Sequence, residues 1–376
     1  MRIAIDARGI NWYRGTGIGT YTDKLLSYLL QQDKSNYYHI YWSGENYGEY
    51  ENQNSKVLMA SKRHHRFFEQ SYFPQNVKEE NIDIFHMPQN GVGLSENIKC
   101  KKIVTIHDLI PYIMPETVGK GYLLKFLKEV PKVLELCDGI ITVSEWSKRD
   151  ILKFFPIDEN KVFVTPLAAD SIYKPLDKEK CKKYLEKNYN ISKPFILYIG
   201  GFSERKNVKA LISAFSKIHK DLNKDYNLVI VGDARDQGQL LSEYSNNLEL
   251  AAKIIFTGFA PEEALPILYN SCEAFVYPSL YEGFGLPPLE AMSCGAPVIT
   301  SNLTSIPEVI KDAGILINPY NEAELAEAIV KLLNDENLKE LYREKGLKRA
   351  SEFSWKSTAE KTLEAYNTVF ETDPLQ

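Results

Sequence analysis

Glu282 and Glu290 flank a glycine pair, Gly283 and Gly285, in the string Pro278-Ser-Leu-Tyr-Glu-Gly-Phe-Gly-Leu-Pro-Pro-Leu-Glu-Ala-Met-Ser-Cys-Gly295. Glycines let a backbone approach a ligand closely and adopt positive φ, so amides before a helix can point at an anion. A carboxylate beside a phosphate would be repelled unless it grips something else, such as a hydroxyl. The pattern therefore fits a ligand with phosphates in its middle and hydroxyls at both ends, which describes a nucleotide sugar. A second loop, Gly200-Gly-Phe-Ser-Glu-Arg-Lys-Asn207, brings two cations, Arg205 and Lys206, to the start of a helix, where their charge and the helix amides suit a pyrophosphate. Many nucleotide-sugar enzymes bridge the diphosphate with a divalent ion held by Asp-x-Asp, and no Asp-x-Asp occurs in this chain. Neutralising the diphosphate then falls to Arg205, Lys206 and the amides around Phe284 to Leu286, so a site that works without a metal or other cofactor is expected. The histidines lack zinc-ligand spacing. His107 ends an apolar run and has the pKa range of a proton shuttle. In Lys62-Arg-His-His-Arg-Phe-Phe68, His64 and His65 sit in a basic segment beside aromatics, a solvated loop or a site for an anionic acceptor or membrane surface.

The elements that must position these residues are legible in the periodicity. Arg2 to Arg8 reads as a strand, followed by a glycine-rich loop, Gly9 to Gly19, and a helix over Tyr21 to Leu30. Gly15-x-Gly17-x-Gly19 is not the Gly-x-Gly-x-x-Gly of dinucleotide folds, and no acidic residue closes a second strand where a ribose needs it, so NAD is rejected. Further strands are expected at 39–42, 56–59, 83–86, 102–106 and 139–143, with a helix over Tyr122 to Cys137 and Ser144 as N-cap of another. A second set follows at 195–199, 227–231, 253–256, 274–277, 297–300 and 314–317. Strands alternating with helices imply mostly parallel sheets covered on both faces. The fold class is α/β with two doubly wound Rossmann-like domains. In such sheets ligands bind beyond the carboxyl ends of strands, where the loops named above lie.

The Ser279 to Met292 string resembles the Glu-x7-Glu signature of retaining GT-B glycosyltransferases, most closely glycosyltransferase family 4 (group 1), and further motifs extend the resemblance over nearly the whole chain. It implies the GT-B fold, with the two domains facing a central cleft: an acceptor-side domain over 1–170, a linker over 171–193, a nucleotide-sugar domain over 194–354 and a helix over 355–376 returning to the first domain. It assigns Glu282 to donor-sugar hydroxyls, Glu290 to the ribose and the Arg205–Lys206 pair to the leaving diphosphate, although many relatives carry an Arg where this chain has Gly201. It puts His107 in the cleft, brings Gly17 and Gly19 near donor phosphates and acceptor, and sets the base near the turns at Gly232-Asp233 and Gly258-Phe259. Phe284, Gly285 and Leu286 complete the donor contacts, and Thr304 to Glu308 closes the back of the pocket. Pro166-Leu-Ala-Ala-Asp170 resembles a Pro-x-Gly-x-Asp that often ends the first domain, with Ala168 in place of Gly.

The motifs look most like those of bacterial mannosyltransferases of polysaccharide assembly, which favours GDP-mannose as donor; UDP-glucose, UDP-N-acetylglucosamine and dTDP- or GDP-deoxysugars stay open. The acceptor implied is a glycan or a lipid-linked saccharide, the latter bringing the enzyme into peripheral contact with the inner membrane face. A nucleotide-sugar epimerase of the same architecture and a non-catalytic nucleotide-binding assembly protein are the rival readings.

A net charge of −5 over 376 residues argues against a dedicated nucleic-acid binder. The opening residues run straight into a strand with no secretory pattern, no window approaches a membrane span, and the five scattered cysteines lack Cys-x2-Cys spacing. A cytoplasmic protein with reduced thiols is expected.

Overall fold

A computed structural model describes residues 1–232 and 237–372. The chain forms two compact units, one of residues 1–167 with the segment from Ser354, the other of residues 168–353. In unit 1 seven strands make one sheet: β1 (Arg2–Asp6), β2 (Tyr37–Trp42), β3 (Ser55–Met59), β4 (Ile84–Met87), β5 (Lys101–Ile106), β6 (Gly139–Thr142) and β7 (Val162–Val164). Their order is β3-β2-β1-β4-β5-β6-β7, every neighbouring pair parallel. Each stretch expected as a strand here forms one. β7 is additional, and at three residues it is too short to show alternation. The central strands are apolar on both faces, with Ile3, Ala4, Ile84, Phe85, Ile103 and Val104 inaccessible, as a parallel sheet covered by helices on each side requires.

The helix Trp355–Glu371 packs on unit 1 against the helix Gly17–Gln32 and the sheet. A buried polar chain ties it down: the Tyr366 hydroxyl and the Thr105 hydroxyl lie 2.6 and 2.8 Å from the two ring nitrogens of His86, and Tyr21 reaches Thr105 at 3.1 Å. Thr358 donates to the Pro166 carbonyl at 2.6 Å. Burial, with His107 nearby, pushes the His86 imidazole down to about 3, so it bonds as the neutral ring.

Unit 2 repeats the plan with β8 (Phe195–Ile199), β9 (Asn227–Val231), β10 (Ile254–Gly258), β11 (Ala274–Tyr277), β12 (Val298–Ser301) and β13 (Ile315–Ile317), ordered β10-β9-β8-β11-β12-β13 and parallel throughout. The helix Lys178–Tyr189, in the stretch expected to link the domains, packs within this unit on the helix Leu265–Ser271. Asp177 caps it, its carboxylate accepting from the Lys180 amide at 3.0 Å, and Asn190 ends it in the left-handed region.

Each sheet has one place where its connections diverge, between β1 and β4 in unit 1 and between β8 and β11 in unit 2. There the crossovers leave for opposite faces and a crevice opens beyond the strand ends. The Gly9 to Gly19 region differs from its expected form as a loop. Gly9–Trp12 is a helical turn and the next helix starts at Gly17, with Thr16 as N-cap accepting from the Gly19 amide. Gly17 and Gly19 therefore lie in a first helical turn. Glycine is needed at position 19 for packing, since a Cβ there would stand 2.4 Å from the Tyr13 carbonyl oxygen. Gly19→Ala should destabilise unit 1 by about 1–3 kcal/mol because the obstructing atom is backbone, whereas Gly121→Ala, with open space around it, should not. Urea unfolding of the two variants checks this.

Candidate functional site

Unit 2 brings the loops after β8 and β11, the two strands at its switch point, against one another. The first makes a 3-10 turn over Glu204–Lys206 and passes through Asn207 at φ 57°, a conformation asparagine tolerates, before the helix Val208–Ile218. The second follows Pro278, and the Leu280 amide donates to the Arg205 carbonyl at 2.8 Å, so backbone joins backbone.

Four donors converge on one oxygen of Glu282. Lys206 Nζ and Ser279 Oγ lie 2.6 Å from Oε1, Arg205 Nη1 2.9 Å and the Tyr277 hydroxyl 3.0 Å. Lys206 also donates to the Tyr277 hydroxyl, with its ammonium 5.0 Å from that ring's centroid, and Arg205 Nη1 donates to the Tyr281 carbonyl at 2.6 Å. Burial alone would raise the Glu282 pKa. The Lys206 and Arg205 charges outweigh it and hold the carboxyl down at about 2, so it is ionised. The cluster thus presents two cations tethered by one carboxylate, a centre suited to an anionic ligand that carries hydroxyls.

The loop from Glu282 to Gly285 is fixed from behind by the segment after β12. Thr304 Oγ1 accepts from the Glu282 amide at 3.1 Å, and Ser305 Oγ stands 2.8 and 2.9 Å from the Glu282 and Phe284 carbonyls. Gly285 has φ 115°, and a Cβ on it would stand 2.7 Å from Ile306 Cδ1. Phe284 is buried edge-on to Phe353. The helix Leu286–Ser293 opens with Pro287 and Pro288, which have no N–H. Its first three positions therefore offer a single amide, that of Leu286, and anion contact from this end rests on Leu286 and the amides just before it.

Glu290, on that helix, behaves oppositely to Glu282. Tyr269 donates to its Oε2 at 3.1 Å. Although part of its surface is accessible, protein surrounds the carboxyl, and burial, aided by the Glu262 and Asp170 charges, pushes it up to about 7. Gly201 lies in the β8 loop and its carbonyl accepts from the Tyr198 hydroxyl at 2.7 Å. Gly258 ends β10 at φ 71°, and its carbonyl accepts from the Gly232 amide at 3.1 Å. Asp233, the other half of that expected base turn, lies outside the described residues.

His107 belongs to unit 1, just beyond β5. Its ring Nε2 donates to the Pro88 carbonyl at 2.8 Å, its amide donates to Asn90 Oδ1 at 2.9 Å, and its carbonyl accepts from Ser147 Oγ at 3.2 Å. Burial pushes its imidazole down to about 4, and Nδ1 is then the unprotonated nitrogen. His107 is thus placed to accept a hydrogen bond as a neutral ring. His64 and His65 lie at the start of a short helical segment whose Phe67 is exposed. Among the described residues no group of three or more His, Cys, Asp or Glu stands close enough to hold a metal ion, and no helix is long and apolar enough to cross a membrane.

Three side chains of the site had no assigned part in the sequence reading. Tyr277 and Ser279 lie within or beside the glycine string, and hydroxyls so near Glu282 are a usable signal. Tyr269 bonds Glu290 from 21 positions earlier, and no local pattern announces it.

The profile described as "Glycosyl transferases group 1" matches residues 182–349, and that described as "Glycosyltransferase Family 4" matches residues 15–171. Among curated proteins the chain is 34% identical over 269 residues to the O-antigen chain mannosyltransferase B of Escherichia coli, covering 72% of this chain and 71% of that one. It is 30% identical over 282 residues to the serotype-specific mannosyltransferase WbdA of the same organism, covering 74% of this chain but only 35% of the relative. Solved structures of similar fold include a glycosyltransferase from Rickettsia africae (TM-score 0.76, 19% identity, 99% of each chain) and Anabaena HepE in complex with UDP and glucose (TM-score 0.76, 16% identity, 98% of this chain and 99% of that one).

The opposed carboxylates yield opposite pH dependences. Glu282 has a folded pKa below the unfolded 4.5, so its contribution to stability is present above pH 4.5 and lost as pH falls toward about 2. Glu290 holds its proton to about 7, so raising pH from 4.5 to 7 draws a proton only from the unfolded chain and weakens the fold. Glu282→Gln should therefore cost about 3 kcal/mol at pH 7 and much less at pH 3. Glu290→Gln should gain on the wild type as pH rises from 5 to 8. Chemical denaturation across pH reads both, and parallel pH curves for wild type and variants would contradict the assignment.

Proposed function

Because the chain belongs to glycosyltransferase family 4, with the GT-B fold, and is a glycosyltransferase, we propose that it transfers mannose from GDP-mannose, with retention at the anomeric carbon and without a metal ion, to a glycan or lipid-linked saccharide. The observation that carries this reading is the Glu282 oxygen held by Lys206 and Arg205 at the switch point of unit 2. Similarity to O-antigen mannosyltransferases supports the sugar and the glycan acceptor.

In this reading the diphosphate approaches Arg205, Lys206 and the amides of Phe284, Gly285 and Leu286. Glu282, already ionised, accepts from donor-sugar hydroxyls, and Glu290 accepts from the ribose hydroxyls. As the bond between the anomeric carbon and the diphosphate oxygen breaks, the two cations stabilise the charge that develops on the leaving group. The acceptor hydroxyl attacks from the same face, and its proton passes to the departing diphosphate oxygen. His107, neutral, accepts a hydrogen bond without supplying a proton. Gly201 and Gly258, each with open space where a Cβ would stand, let the donor come close to backbone.

A thermal-shift comparison of GDP, GDP-mannose, UDP and UDP-glucose tests the donor. Selective stabilisation by the guanine pair is expected; selective UDP binding overturns the donor, and no nucleotide response overturns the transferase reading for this site. Lys206→Ala should lower kcat by about 100-fold or more, read with GDP-mannose and a mannose-terminated acceptor. Activity should persist in excess chelator, and activity that vanishes there and returns with a divalent ion would exclude metal-free transfer.

A further inference from the structure

Behind Glu290 stands a buried tyrosine. The Glu290 Oε2 accepts from the Tyr269 hydroxyl at 3.1 Å, which leaves Oε1 as the oxygen for a ligand hydroxyl. Tyr269 is inaccessible to solvent, whereas Glu290 keeps part of its surface accessible, so the bond lies on the inner side of the carboxyl. A phenylalanine would fill the same space, and among the described residues the Tyr269 hydroxyl bonds Glu290 alone. A buried phenol needs a partner, and here the partner is an acid of the site. The tyrosine is itself held. Its helix, Leu265–Ser271, sets its ring edge-on to Phe275 of β11 at 5.2 Å and to Tyr173 at 5.9 Å. Asn270, next on that helix, accepts from the Leu176 amide at 2.8 Å and donates to the Lys174 carbonyl at 2.9 Å, clamping the segment that follows Tyr173.

The terminal torsion of a glutamate is broad, so a carboxyl with no fixed partner turns readily. A bond to Oε2 from a rigid donor sets that torsion and with it the direction of Oε1. The bond also acts on charge. Burial raises the Glu290 pKa, the Tyr269 bond works against it, and the Glu262 and Asp170 charges add to the rise. The tyrosine thus favours the ionised carboxylate, which accepts from hydroxyls, where the surroundings favour the acid. We infer that Tyr269 is a positioning residue whose buried hydroxyl directs Glu290 Oε1 at the vicinal ribose hydroxyls, so that unit 2 selects ribonucleotides over their 2′,3′-dideoxy counterparts. This rests on the transferase reading, in which Glu290 meets the ribose. A tyrosine with a packing role only would stabilise unit 2 without affecting that selection.

Two substitutions delete the hydroxyl: Tyr269→Phe keeps the ring contacts, and Tyr269→Met fills the space with a pliable apolar chain. Titration calorimetry on the full chain reads the Kd of GDP and UDP and of their 2′,3′-dideoxy forms, and unfolding midpoints verify that the variants are folded. The base that binds supplies the ratio of dideoxynucleotide to ribonucleotide Kd. In the wild type that ratio should be about tenfold or more. It should fall to about threefold or less in both Tyr269 variants and in Glu290→Ala, with the dideoxynucleotide Kd unchanged in the Tyr269 variants. Adding Tyr269→Phe to Glu290→Ala should lower the ratio no further. A ratio undiminished in a folded Tyr269 variant or in Glu290→Ala overturns the inference. So does a wild type that binds both forms equally, or a Tyr269 substitution that weakens both forms alike. Each of those results, obtained with nucleotide bound, leaves the transferase reading standing, whereas no binding of either base sinks that reading.

Discussion

Removing an ionised carboxylate from water costs several kcal/mol unless charge and hydrogen bonds are returned to it, and the way unit 2 returns them to Glu282 governs the arrangement of its site. Lys206 lies 76 residues before Glu282 and can reach it only because β8 and β11 are neighbours in the sheet. The carboxylate holds the two loops together through Arg205 and Lys206, and Tyr277 and Ser279 complete its coordination. Without a ligand the cations are therefore pre-positioned and compensated. Side chains held in this way are already ordered, so less rotamer entropy is lost when an anionic ligand meets them. The site is electrostatic first and its hydroxyl contacts follow from that.

The two glutamates of one short string end in different states for reasons outside the string. Glu282 has two cations against it and is held ionised; Glu290 has Tyr269 against it and two further acids nearby, and burial dominates. A carboxyl poised near neutrality responds to its next partner, because a donated hydrogen bond favours its charged form. His107 shows the same logic with the opposite group. Its surroundings keep it neutral, which fits a hydrogen-bond acceptor and not a proton reservoir.

Both units repeat one solution. A parallel sheet is wound outward in both directions from a central pair of strands, and the carboxyl ends of that pair carry the polar cluster: Arg205, Lys206 and Glu282 in unit 2, Asp6, Arg8 and Gln89 in unit 1. The difference lies in completion. The donors around Glu282 meet on one oxygen, whereas the guanidinium of Arg8 is paired with Asp6 through Nε and Nη2 and its buried Nη1 has no hydrogen-bond partner among the described residues. The rings of Trp12 and Phe73 stand 4.4 and 4.8 Å from the Arg8 guanidinium carbon.

Sequence alone determined the class of fold, because the alternation of strand and helix, the cap at Ser144 and the glycine at 285 are local choices written in local residues. It also singled out Glu282, Arg205 and Lys206 on loops beyond strand ends and Glu290 on the helix that follows. Tertiary structure decided the rest. β7 formed because β6 offered an edge to three residues, with Ile140, Ile141 and Thr142 paired to Val162, Phe163 and Val164. Above all, the ionisation states of Glu282 and Glu290 depend on distant partners, Arg205 and Lys206 for the first, 77 and 76 residues away, and Tyr269 for the second, 21 residues away. Charge and hydrogen bonding act across space, and periodicity along a chain carries no record of which distant side chain will arrive.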